Sequence, residues 1–269
     1  MRKIVLGAAA VGALLLLTGC GQRSEPTGET VPIYPVTVEQ AGAPDVVLDR
    51  KPNQVFALTT QAATLVSSVL GRKVSPSPVA ASTGLVVTTP EDQNSRARAN
   101  TPLYIAPDAS IDDVERALTD LGLLLDRPLE ARRLVAGIQA KRTIVRARLA
   151  NAKPVTVFVD TGFFTTVSND SLLGNLIAEA GGRNVGGPGP QGGPFNVRRL
   201  ARLNPDFYLA TSDSGTTLAA LRHDPRTRHL KAVRTNHFAI LASRVVQPGG
   251  EIGTELVAIA RYLHPDAFR

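Results

Sequence analysis

The chain of 269 residues contains one cysteine, one methionine and no tryptophan. A single cysteine excludes an internal disulfide and any thiolate-clustered metal site, so stability has to come from packed cores. Aromatic residues make up only 4% of the sequence. That is too few for the stacking platforms of a single-strand nucleic-acid binder, and no nucleic-acid partner is expected. The four histidines, His223, His229, His237 and His264, form no H-x-x-x-H pattern, so neither a metal centre nor a resident cofactor is expected. There is no G-x-S-x-G elbow or other recognisable nucleophile arrangement, which points away from an enzyme. Gly187-Pro188-Gly189-Pro190-Gln191-Gly192 matches G-x-G-x-x-G only formally, because its prolines lack amide donors and no strand or helix frames it. Acid is also in short supply: 23 acidic residues face 30 basic ones, a formal charge of +7. Such a field favours anionic ligands or a lipid surface, unless the charge is simply solvated.

Long apolar runs are missing too, with one exception. Ile4 to Leu17 is apolar, yet shorter than the roughly 20 residues that cross a bilayer. Arg2 and Lys3 precede it and small Gly19 follows, the layout of a secretory signal with its cut site. Leu17-Thr18-Gly19-Cys20 resembles the bacterial lipobox. That resemblance implies a signal peptide over residues 1–19 and a diacylglycerol-modified Cys20, anchoring the protein on the extracytoplasmic side of the cell membrane. Residues 20–34 are polar and rich in Gly, Pro and Thr, as a flexible tether is.

Beyond the tether, two segments share one plan. Gln54 to Leu58 reads as a short apolar strand leading through Thr59 and Thr60 into a helix over Gln61–Leu70, closed by Gly71. Val155 to Val159 is a second strand, leading to a helix over Leu172–Ala180, closed by Gly181 and Gly182. Strand, loop, helix and glycine stop build α/β units with parallel strands. Tyr34–Val38 and Val46–Leu48 read as a hairpin, Phe207–Thr211 and His237–Leu241 as further strands, and Glu251–Leu263 as a closing amphipathic helix. Between the two units, Val114, Leu118, Leu121 and Leu125 keep helical spacing. Pro128 then opens a long helix whose other face carries Arg132, Arg133, Lys141, Arg142, Arg146 and Arg148. The fold class expected is α/β: two lobes, each a mainly parallel sheet flanked by helices, joined by a single long helix. The expected boundaries are 35–127 for the N-terminal lobe, 128–150 for the connecting helix and 151–269 for the C-terminal lobe. Within residues 80–101 only Leu85-Val86-Val87 has the character of a strand.

Several short motifs, in order, carry a family likeness. They are Lys51-Pro52-Asn53-Gln54-Val55-Phe56-Ala57-Leu58, Ala180-Gly181-Gly182-Arg183-Asn184, Asn204-Pro205-Asp206, Ala232-Val233-Arg234 and His264-Pro265-Asp266. On these the chain resembles the periplasmic solute-binding proteins of ABC importers, in the long-backbone-helix class. The resemblance implies a monomer that takes a ferric siderophore, haem or a corrinoid between its lobes and delivers it to an ABC permease. Little lobe closure is expected, because the strut helix resists bending. Family members dock on the permease through a glutamate on each lobe. Here Arg198 stands at the C-lobe position, and Glu91 is a distant N-lobe substitute. That departure leaves open a non-transport envelope scaffold on the same fold.

Ligands of such folds sit at the carboxyl ends of strands. That rule selects Thr59, Thr60 and Gln61, then Phe163 and Phe164, then Ser212 and Asp213, and finally Arg244 and Gln247. Thr59 and Thr60 also stand where a helix cap belongs. The Phe163-Phe164 pair suits either an apolar ligand face or the lobe core. Arg244 suits an anionic chelate or plain solvent. Tyr104 and Tyr208 are the candidates for a lone haem ligand.

Overall fold

The computed structural model describes residues 34–77, 84–92, 101–187, 194–242 and 247–269. Cys20, Arg244, the Pro188–Gly192 run and parts of residues 80–101 lie outside the described residues. Residues Ile33–Arg269 form one compact unit. That unit holds all three sheets of the described residues and the core between them.

Strands β1 (Val36–Val38) and β2 (Val46–Leu48) form an antiparallel pair in which Val36 faces Leu48. Alternate residues are buried, so Val36, Val38, Val46 and Leu48 face the core. Next come β3 (Val55–Ala57), helix α1 (Thr60–Leu70), β4 (Leu85–Thr88) and β5 (Leu103–Ile105). The three strands make a parallel sheet in the order β3-β4-β5. All four β4 residues are buried, as a central strand covered on both faces requires. Helix α1 ends where Gly71 takes a left-handed φ of 65°, a conformation glycine adopts at no steric cost.

Helices α2 (Ile111–Leu124) and α3 (Pro128–Leu149) follow. Ser110 accepts a hydrogen bond from the Asp113 amide and so caps α2, while Pro128 opens α3 at its first turn. Gly122 lets the two helices approach closely, since a Cβ there would lie 2.4 Å from the Ala131 methyl. The C-terminal lobe holds β6 (Val155–Asp160), α4 (Leu172–Glu179), β7 (Gly182–Asn184), α5 (Val197–Leu203), β8 (Phe207–Thr211), α6 (Leu218–His223), α7 (Lys231–Arg234), β9 (Phe238–Leu241) and α8 (Ile252–Leu263). Its sheet runs β7-β6-β8-β9, parallel throughout. Two α/β lobes joined by one long helix are thus the observed architecture.

Three details differ from the sequence reading. Strands β5 and β7 were not foreseen; the Gly181-Gly182 stop passes straight into a strand paired with β6. Arg142 does not lie on the solvated face of α3: its side chain is 10% exposed and binds carboxylates from two other helices. The lobes also share one continuous apolar core, running from Val36 and Leu65 through Leu118 and Ile138 to Val157 and Leu263. The C-terminal segment stitches them a second time, because the Gly250 amide donates to Ser68 on α1. Among the described residues no helix is long and apolar enough to cross a membrane.

Candidate functional site

The carboxyl ends of both sheets lead into one cavity of about 300 Å³. Its N-lobe wall is Gln61 in the first turn of α1, Pro90 and Glu91 just after β4, and Asp108 and Ala109 between β5 and α2. Its C-lobe wall is Val167, Asp170, Ser171, Leu172 and Leu173 from the β6–α4 connection, with Pro248 ahead of α8. Beneath it the lobes are clasped by a hydrogen bond from the Ile111 amide to Asn175 Oδ1, 3.0 Å long. Ser171 caps α4 by accepting from the Gly174 amide, which fixes the wall locally. Gly174 is required there, since a Cβ would fall 2.3 Å from the Ser168 carbonyl oxygen.

Among the described residues, the charged side chains of this cavity are Glu91, Asp108 and Asp170, with no lysine or arginine in the wall. Burial, then the neighbouring Glu91 and Asp113 carboxylates, push the Asp108 carboxyl up to about 6. The folded state therefore holds a proton on Asp108 that the unfolded chain releases near pH 4. Stability then falls as pH rises through the window between these values, and the penalty is complete above about 6. Asp108→Asn should raise the melting temperature at about pH 7 and leave it unchanged near pH 4. A variant that melts like the parent at both values would refute this account.

A second polar centre braces the other part of the same connection. Asp160, 1% exposed at the end of β6, accepts from the Tyr208 hydroxyl (2.7 Å), the Thr216 hydroxyl (2.8 Å), and the Gly162 and Phe164 amides (2.9 and 3.1 Å). Burial and this carboxylate raise the Tyr208 phenol far above its ordinary range, so it stays a donor. The turn held this way places Phe163 at φ 53° and Phe164 at φ 59°, both left-handed, closed by the Thr165 amide on the Gly162 carbonyl. Phe163 is 94% exposed. Phe164 points inward onto the C-lobe's second apolar cluster, with the Arg226 guanidinium 5.5 Å from its ring centre.

The sequence-selected residues thus separate. Gln61 and Glu91 line the cavity, so Glu91 faces the inter-lobe space. Gln247 adjoins Pro248 of the wall, and its buried Oε1 has no partner among the described residues. Thr59 is the cap of α1, accepting from the Ala62 amide and touching the Thr89 hydroxyl. Thr60 is exposed at the helix start, and Ser212 and Asp213 are exposed on the short turn after β8. Arg198 is exposed on α5, in the wall of a separate pocket. Tyr104 and Tyr208 are corrected outright. Both are buried, with hydroxyls held by Asp120 and Asp160, so neither can reach a haem iron. Asp108, Asp170 and Ser171 were missed. Asp108 follows β5, and recognising that strand would have exposed it to the carboxyl-end rule. Among the described residues no cluster of three His, Cys, Asp or Glu is arranged to hold a metal.

The family model described as periplasmic binding protein matches residues 72–245. No curated protein matches the chain by sequence. Solved structures match by shape. CeuE of Helicobacter pylori, in a Ni-His complex, is 15% identical with a TM-score of 0.72, covering 87% of this chain and 89% of that one. The periplasmic heme-binding protein RhuT of a Roseiflexus species, in apo form, is 16% identical with a TM-score of 0.66, covering 80% and 99%. MolA of Haemophilus influenzae, the molybdate periplasmic binding protein of an ABC transporter, is 13% identical with a TM-score of 0.68, covering 84% and 90%. At these identities the three shapes speak for the fold, and the family model, spanning well over half of the sequence, speaks for descent: the chain belongs to the periplasmic binding proteins.

Proposed function

We propose that this protein is the lipid-anchored, monomeric substrate-binding component of an ABC importer and that its solute occupies the inter-lobe cavity. The single observation that carries the reading is that cavity, built where the carboxyl ends of both parallel sheets converge. We further propose a metal chelate as the solute: a ferric siderophore, haem or a corrinoid. Such chelates exceed about 300 Å³ and would extend past the cavity along the β6–α4 connection, where Phe163 offers an apolar face. The wall carboxylates Glu91, Asp108 and Asp170 favour a neutral or cationic chelate, such as a hydroxamate, over a tris-catecholate trianion. Gln61 and Gln247 would supply the neutral hydrogen bonds. Cys20 would hold the body at the membrane, and Arg244 remains a candidate contact.

A thermal-shift screen of the form beginning at Gly21, with ferric siderophores, haem and cobalamin, tests the reading. A ligand at about 100 times its dissociation constant adds roughly 2.7 kcal/mol and moves the melting temperature by several degrees. A cooperative melt unmoved by every chelate would overturn it. One observation favours the second reading, a non-transport envelope scaffold: Glu91 lines the inter-lobe cavity, away from the permease-docking role that the resemblance gives it.

A further inference from the structure

The C-terminal lobe carries a second pocket, of about 510 Å³, that shares no residue with the inter-lobe cavity. It runs between α5 and the turn that joins α6 to α7. Val197, Ala201 and Leu230 give it an apolar lining, and Arg198, Arg226 and His229 supply its basic groups. The walls are built, not merely exposed. Asn204 ends α5 at a left-handed φ of 44° and its Oδ1 accepts from the Lys231 amide at 2.7 Å, which ties the helix to the far wall. Arg226 is held by the Asp224 carboxylate through Nε and Nη2 and by the Phe164 ring. Arg198 has no hydrogen-bond or ion-pair partner among the described residues.

The surrounding charge is predominantly positive. Between residues 195 and 237 stand seven arginines and one lysine against three aspartates and no glutamate. Two of those aspartates are already engaged, Asp206 by Lys231 and Asp224 by Arg226. A field of this kind draws an acidic partner, and guanidinium groups accept carboxylates in a planar fork.

We propose that this pocket is a docking socket for an acidic segment of a partner protein. Arg198, which has no partner of its own among the described residues, meets the carboxylate, with Arg226 held beside it by Asp224, and Val197, Ala201 and Leu230 receive the aliphatic stem of an inserted side chain. Concavity decides between the anionic partners open to a basic surface. A bilayer is flat and is met by protruding cations, whereas a pocket lined by apolar residues behind its arginines receives a protruding group. The inference is independent of what the inter-lobe cavity binds.

Fluorescence anisotropy with a labelled hexaglutamate peptide tests it on the form beginning at Gly21, whose body is a compact unit of its own. Saturable binding that weakens with added salt is expected. Arg198→Glu should weaken it by about tenfold or more, while Arg132→Glu, the same charge change on exposed α3, should leave it within about twofold. Ala201→Trp, which fills the pocket without altering charge, should weaken it as much as Arg198→Glu does. No binding, or binding that Arg198→Glu and Ala201→Trp do not affect, would overturn the proposal. So would co-sedimentation with phosphatidylglycerol vesicles that depends on Arg198 while the peptide does not bind, which would assign the surface to lipid.

Discussion

Arg142→Ala is expected to destabilise the protein by about 3–5 kcal/mol, read as a lower urea midpoint at an unchanged slope. Arg142 is the only residue of α3 that engages α2 and α4 through charge among the described residues. Its Nη1 donates to Asp112 at 2.6 Å and Glu115 at 3.2 Å, and its Nε and Nη2 form a two-pronged contact with Glu179 at 2.9 and 2.7 Å. Glu115 and Glu179 are largely buried while Asp112 is 73% exposed. Alanine would leave the two buried carboxylates facing each other without a cation, and that uncompensated charge is the source of the cost. The triple replacement Arg142→Met, Glu115→Leu and Glu179→Leu should regain most of the loss, because no charge then remains buried. Since α2 belongs to the first lobe and α4 to the second, the same cation also sets how the lobes sit around the cavity. A loss below about 1 kcal/mol would mean that water reaches these carboxylates and that the pair behaves as a surface contact.

Phe163→Gly is expected to do the opposite in the free protein: to raise its stability by about 0.5–1 kcal/mol. An L-residue in the left-handed region costs roughly 1–2 kcal/mol, and glycine recovers that less its own chain entropy. The turn over Gly162 to Thr165 calls for glycine or asparagine at both central positions, and the chain puts phenylalanine at each. At Phe164 burial against the second apolar cluster repays the strain, so Phe164→Gly should lose stability despite the same φ. At Phe163 nothing among the described residues repays it, since the residue is 94% exposed. Strain kept without internal return points to a contact outside the fold. With the chelate found by the screen, Phe163→Gly should weaken binding by about tenfold while the free protein melts higher. A variant that melts no higher than the parent would remove the strain argument. One that melts higher and binds unchanged would remove the contact.

What the sequence determined alone is everything that local spacing can encode. Helix α2 was readable from the spacing of Val114, Leu118 and Leu121, α3 from Pro128, and the end of α1 from Gly71. These signals act within a few residues, so no partner is needed to interpret them. The strand–helix repeat likewise announced two parallel α/β lobes. What only the tertiary structure decided is anything that depends on residues far apart in the chain. Strands β5 and β7 are three residues long and acquire meaning only beside β4 and β6. Arg142 and Arg132 look alike in sequence, yet one is enclosed by Glu115 and Glu179 and the other faces water. Phe163 and Phe164 are adjacent and chemically identical, and the Asp160 turn sends one outward and the other into the core. The acidic cavity joins Glu91, Asp108 and Asp170 across 79 positions of sequence, through packing that no local pattern records.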